Sequence, residues 1–189
     1  MAATGEGTRL VGALRSLEGA PDSALDRAFA AWYPELKRIA HARLRGTGLQ
    51  GAVQTTALVH DSYLKLAAGR ELSFGDRLQF LAYSSRVLRS IIVDLVREQR
   101  ALRRGGEAHI VTLDTGVMEG LAPTVDVETV NDALEDLAKI EPALARLVEM
   151  RFFGGMSEDE IAAALDVSPR TVSREWKKAR ALLLTLVGE

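Results

Sequence analysis

The sequence has no cysteine among its 189 residues, which excludes disulfides, thiolate metal sites and cysteine nucleophiles. Its three histidines, His41, His60 and His109, have no metal-ligand spacing. No glycine-rich loop opens a helix to cradle phosphates, and no tight turn presents a nucleophilic serine. No catalytic residue, metal or cofactor is therefore expected. No stretch approaches the roughly 18 to 20 apolar residues of a membrane helix, and Met1 to Arg9 carries no basic segment followed by an apolar run. The expectation is a soluble, cytoplasmic chain without a membrane partner. A general excess of positive charge is also missing: the net charge is -2, whereas nucleic-acid binders are commonly basic.

The total conceals segregation. From Arg86 to Arg104 there are six arginines against Asp94 and Glu98, a balance of +4. From Arg170 to Arg180 there are five cations against Glu175, again +4. Between them, Asn131 to Glu160 has eight acids against three cations, a balance of -5. Blocks of this kind suit two separate phosphate-facing surfaces.

A hydrophobic fraction of 47% and a charged fraction of 26% are globular values, and the dominance of Ala, Leu, Arg and Glu favours helix. Apolar residues recur at helical spacing over 10–17, 25–44, 57–67 and 78–96, and almost nothing alternates as a strand would. The pattern fails from Arg103 to Glu128, where Gly105, Gly106, Gly116, Gly120 and Pro123 interrupt it, and resumes from Val130 to Leu186. The expected class is all-α. Two small helical domains are joined by a flexible linker: an N-terminal helical extension over 1–24, a bundle over 25–104, a linker over 105–128 and a second domain over 129–189.

The segment Met156 to Leu184 is the most specific. Ser157 with Glu160 three residues on forms a capping box that starts a helix. Asp166 and Val167 make a turn, Ser168 caps a second helix, and Pro169 occupies its first position, where a missing amide costs nothing. Val172, Trp176 and Ala179 should face the preceding helix, leaving Arg170, Thr171, Ser173, Arg174, Lys177 and Lys178 outward. This is a helix-turn-helix whose second helix suits the major groove, arginine pairing with guanine and lysine holding phosphates. An earlier set, Phe74, Phe80, Tyr83, Arg86 and Arg89, supplies aromatic faces and a cationic track of the kind that holds a parted DNA strand. The segment Thr56 to Ala67 carries apolar residues all round, so it is either buried or has a protein partner.

These motifs together resemble the extracytoplasmic-function (ECF) sigma factors. The C-terminal match runs through Arg151-Phe152-Phe153-Gly154-Gly155-Met156-Ser157, Glu160-Ile161-Ala162, Leu165, Val167-Ser168, Thr171-Val172 and Ala179-Arg180. The N-terminal match is Leu58-Val59-His60-Asp61-Ser62-Tyr63-Leu64-Lys65-Leu66, followed by Phe80, Tyr83, Arg86, Arg89, Asp94 and Arg97 at the family's spacing. The resemblance implies a sigma region 2 bundle and a sigma region 4 helix-turn-helix, with core RNA polymerase and promoter DNA as partners. It implies core-polymerase contacts from Leu58, Val59, Asp61, Tyr63 and Leu64, and minus-ten contacts from Phe74, Arg77, Phe80, Tyr83, Arg86 and Arg89. The minus-thirty-five element falls to Arg170, Thr171, Ser173, Arg174, Lys177 and Lys178.

The chain departs from the family where an acidic cluster commonly precedes the core-binding helix, since it has Gln54-Thr55-Thr56-Ala57 there. Phosphorylation of Thr55 or Thr56 would supply the missing charge, about -1.5 to -2 per group. A Ser/Thr kinase or an anti-sigma protein is then a candidate regulator. Ser90, Asp166 and Glu175 are milder departures. The rival to a sigma factor is a helix-turn-helix repressor or activator that works without core polymerase.

Overall fold

The computed structural model describes residues 23–47, 49, 51–68, 74–102, 112–114 and 124–188. The expected N-terminal helix, His109 and most of the expected linker lie outside these residues.

Helix α1, Ala24–Gly46, begins at a capping box: the Ser23 hydroxyl accepts from the Asp26 amide, and the Asp26 carboxylate accepts from the Ser23 amide. Leu25, Ala28, Phe29, Tyr33, Leu36, Ile39, Ala40 and Leu44 then recur at three- and four-residue intervals and are buried, the stripe of a helix that covers a core on one side. Helix α2, Thr55–Ala67, buries Leu58, Val59, Tyr63 and Leu66 against α1 and its neighbour. Helix α3, Arg77–Leu102, is the longest of the first half. Its first turn is capped by Asp76, whose carboxylate accepts from the Gln79 amide at 2.8 Å.

A short antiparallel pair, β1 (Thr112–Asp114) with β2 (Thr124–Asp126), leads into the second half. Three residues are too few for alternation to register in a sequence, and this stretch was expected to be linker alone. Asp126 caps helix α4, Val127–Ile140, accepting from the Thr129 amide. Helix α5, Pro142–Val148, runs directly into a π-helical turn, Glu149–Phe153. Helices α6, Glu158–Leu165, and α7, Pro169–Gly188, follow.

Among the described residues the expected helices over 25–44, 57–67 and 78–96 are present, and in this structure the two halves are docked along α3. That helix is buried on two sides: it packs on α1 and α2 and also on α4, the π-turn and α6. One continuous core runs from Phe29 and Phe80 through Leu88 and Ile92 to Phe152 and Phe153. The approach is close at Gly154, where a Cβ would lie 2.9 Å from the Cβ of Ser85.

Candidate nucleic-acid interface

The helix-turn-helix is built from local rules. Ser157 and Glu160 make the reciprocal cap of α6, with Glu160 accepting from the Ser157 amide at 2.9 Å and donating its own amide to the Ser157 hydroxyl at 3.2 Å. Asp166 ends the helix at φ 53, ψ 48, the left-handed conformation that Asp tolerates better than most residues. Ser168 then accepts from the Thr171 amide at 3.1 Å, and α7 begins at Pro169. Val172, Trp176, Ala179 and Leu183 are buried on its inner side. The Arg151 guanidinium stacks on the Trp176 ring at 4.4 Å while bonding Glu158 at 2.7 Å, so one arginine ties the π-turn, α6 and α7 together.

On the outer side Arg170, Arg174, Lys177 and Lys178 are exposed, with Thr171 and Ser173 half-buried beside them. Ser168, Arg170, Thr171, Ser173, Arg174 and Lys177 line one shallow concavity of about 350 Å³, with three cations, three hydroxyls and no carboxylate. Two of the cations on this face already have acidic neighbours. Arg174 bonds Glu175 at 3.0 to 3.1 Å, and Lys178 donates to Glu141 at 2.7 Å, a contact that raises the lysine's pKa.

The minus-ten set is divided. Phe80 is wholly buried between Trp32, tilted at a centroid distance of 5.1 Å, and Phe74, edge-to-face at 5.3 Å. Phe74 is half-buried and leans on Tyr83 at 5.9 Å; Tyr83 itself is 41% exposed. Arg86 is exposed and makes no ion pair among the described residues. Arg77 and Arg89 are engaged. The Arg77 guanidinium bonds Glu35 of α1, its Nε donating at 2.7 Å, and also Glu160 of α6 at 2.7 Å. These carboxylates, Glu35 first, hold its pKa above the usual guanidinium value. Arg89 is nearly enclosed: it donates to Glu149 at 2.7 Å and to the Asn131 side-chain oxygen at 3.0 and 3.1 Å.

Of the core-binding set, Asp61 and Leu64 face solvent. Leu58, Val59 and Tyr63 are buried, and the Tyr63 hydroxyl donates at 2.6 Å to Asp26; in this state they shape α2 from within. Among the two threonines, Thr56 is exposed and Thr55 half-buried, its hydroxyl 3.3 Å from His41 Nδ1.

Sequence reasoning missed the acceptors Glu35, Asn131, Glu149 and Glu160. For Glu149, which pairs with Arg89, the signal was available in the charge blocks, since an acidic block lying between two basic ones can pair with one of them. Among the described residues no group of side chains could hold a metal ion, and no helix is long and apolar enough to cross a membrane.

The model of the ECF sigma factor family matches residues 9–186. No curated protein and no solved structure matches the chain. The family match spans both halves and every motif described above; the chain belongs to the ECF sigma factor family, DNA-binding regulators that direct transcription initiation with core RNA polymerase.

Proposed function

We propose that this alternative sigma factor divides promoter recognition between its two basic helices. The outer face of α7 reads the minus-thirty-five element in intact duplex, with Arg170, Thr171, Ser173 and Arg174 toward the bases and Lys177 and Lys178 toward phosphates. The exposed part of α3 around Phe74, Tyr83 and Arg86 takes the parted strand of the minus-ten element, joined by Arg77 and Arg89 once these leave their present partners. Phe80 backs the aromatic cluster from the core. Asp61 and Leu64 give α2 its contact with core polymerase, while Leu58, Val59 and Tyr63 set the helix that presents them. The division into a bundle over 25–104, a linker over 105–128 and a second domain over 129–189 belongs to this reading, as does action in the cytoplasm. The observation that carries it is the carboxylate-free concavity on α7, where three cations and three hydroxyls converge at the start of a capped recognition helix.

Control falls to the segment ahead of α2. Its first turn holds no acid, and Gln54 at the N-cap makes no side-chain cap bond. A phosphate on Thr55 or Thr56 adds the charge that the family's acidic cluster otherwise supplies, at a helix end that favours anions. A Ser/Thr kinase fits that role, and an anti-sigma protein is the other candidate regulator.

The test is transcription from a promoter library by core polymerase with and without this chain, using the unmodified protein and one with acidic residues at 55 and 56. New start sites that depend on the chain are expected. A repressor or activator that works without core polymerase would bind duplex and create none.

A further inference from the structure

The three hydroxyls in the concavity on α7 are not equivalent. Ser168 accepts from the Thr171 amide at 3.1 Å, and its hydroxyl lies 2.9 Å from that of Thr171. Both are therefore committed to the cap that starts the helix. The Ser173 hydroxyl has no hydrogen-bond partner among the described residues, and its half-buried side chain forms part of the wall of the concavity.

The neighbours of Ser173 are cations. On a helix the residues three before and four after share a face, with Cβ atoms about 5 to 6 Å away. For Ser173 these are Arg170 and Lys177, and Arg174 follows it directly. All three line the same hollow as Ser173, whereas Glu175, the partner of Arg174, lies outside it. Arg170 and Lys177 make no ion pair among the described residues. Cations that converge without a carboxylate suit a dianion, and Ser173 is the residue placed to carry one.

We propose that Ser173 is a phosphorylation site whose phosphate is held by Arg170, Arg174 and Lys177, so that α7 no longer takes DNA. This rests on the reading of α7 as the minus-thirty-five helix. The donor is ATP and the enzyme a protein kinase with an acidic substrate groove, which the arginines flanking Ser173 would complement. An Oγ–P bond forms as the bond from the γ-phosphorus to the β-phosphate oxygen breaks; ADP leaves, and the hydroxyl proton passes to the kinase's base. The product carries a charge of about -1.5 to -2, enough to cancel roughly two of the three cations. It occupies them through the same charge-assisted bonds that a DNA phosphate would make. Because Ser168 and Thr171 keep the cap, the helix itself survives. The effect is opposite in sign to that at Thr55 or Thr56, where a phosphate adds charge toward polymerase.

The experiment has two arms, both on the full chain. In the first, the protein is incubated with ATP and a serine/threonine kinase that selects arginine three residues ahead of the hydroxyl, and the modified residue is mapped by mass spectrometry. Phosphate is expected on Ser173, and Arg170→Gln should remove most of it; a bare Ser173 overturns the choice of hydroxyl. In the second, phosphoserine is incorporated site-specifically at 173, and affinity for a fluorescent DNA duplex is read against salt. The slope of log affinity against log salt should fall by about 2, and binding at roughly 0.15 M salt by about thirtyfold, as two lost phosphate contacts at about 0.9 each require. The melting temperature and the affinity for core polymerase should stay the same. A phosphorylated chain that binds the duplex as well as the unmodified one overturns the switch, provided Arg170→Gln with Lys177→Gln weakens binding to it. If that double substitution also changes nothing, the reading of α7 as the DNA helix fails, and the switch with it. Weaker binding with an earlier melt overturns the pairing, since the loss is then one of fold.

Discussion

The hydroxyl of Tyr63 on α2 donates a 2.6 Å hydrogen bond to the carboxylate of Asp26 on α1, both side chains buried. The bond fastens α2 to the first turn of α1, where Asp26 also completes the capping box. Tyr63→Phe leaves a buried carboxylate short of one donor and is expected to cost about 1 to 3 kcal/mol of stability. Leu64→Ala, one position along and exposed, should change stability by less than about 0.5 kcal/mol while weakening polymerase binding by about 1 kcal/mol or more. Urea unfolding and a polymerase titration on the same two proteins separate these effects; a reversed pattern would place the partner surface on the wrong side of α2.

Glu160 links acidity to the docked state. Its pKa is lowered, first by the Ser157 amide and then by Arg77, with burial opposing. A carboxyl whose folded pKa lies below its unfolded value stabilises fully above the unfolded value, near about 4.3. That contribution disappears as pH falls through the lower folded value. Stability should therefore drop from about pH 5 downward, and Glu160→Gln should lose less over that interval than the wild type. Thermal melts of both proteins at pH 7 and in stepwise more acidic buffers test this. Parallel curves would mean the carboxylate charge contributes nothing.

On the recognition helix, Arg174→Ala should relax preference at the upstream element by about 1 to 3 kcal/mol if its guanidinium reads a base. Lys178→Ala should weaken every sequence alike. Because Lys178 already holds Glu141, part of its charge is spent inside the protein, and the slope of affinity against salt should fall by less than the value of about 1 expected for a free phosphate contact. Binding to a panel of single-base promoter variants at several salt concentrations separates the two residues. Uniform loss in both would remove Arg174 from base reading.

The parts legible in the sequence are those set by neighbours along the chain. Ser157 with Glu160, Ser168 with Pro169, the left-handed turn at Asp166 and the inward Val172, Trp176 and Ala179 all depend on separations of a few residues, and the structure has each of them. The parts that escaped depend on which surface meets which. A helix with arginines at 77, 89, 97 and 100 has the same pattern whether it faces water, DNA or Glu128, Glu149 and Glu160 of its own chain. An apolar girdle such as that of α2 does not reveal which of Leu58, Val59, Tyr63 and Leu64 is left outside, and only Leu64 is. The capping box of Ser23 and Asp26 was readable but lay at the edge of the expected N-terminal extension.

Thr55 and Thr56 open α2 without any acid in its first turn, so their replacement by glutamate examines charge at a helix end and charge toward polymerase in one step. Each carboxylate supplies a single negative charge at an anion-favouring terminus, worth about 0.3 to 1 kcal/mol of helix stability. Thr55→Glu also brings its charge toward His41, whose Nδ1 lies 3.3 Å from the threonine hydroxyl, whereas Thr56→Glu projects into solvent. If the absent acidic cluster is what limits polymerase binding, the doubly substituted protein should bind core polymerase more tightly than the unmodified chain, by a margin that shrinks with added salt. The same substitutions should leave affinity for an isolated minus-thirty-five duplex unchanged, since α7 lies in the other half. A titration with fluorescent core polymerase measures the first quantity and a gel shift the second; equal polymerase affinity with and without the two carboxylates would sink phosphorylation as the switch.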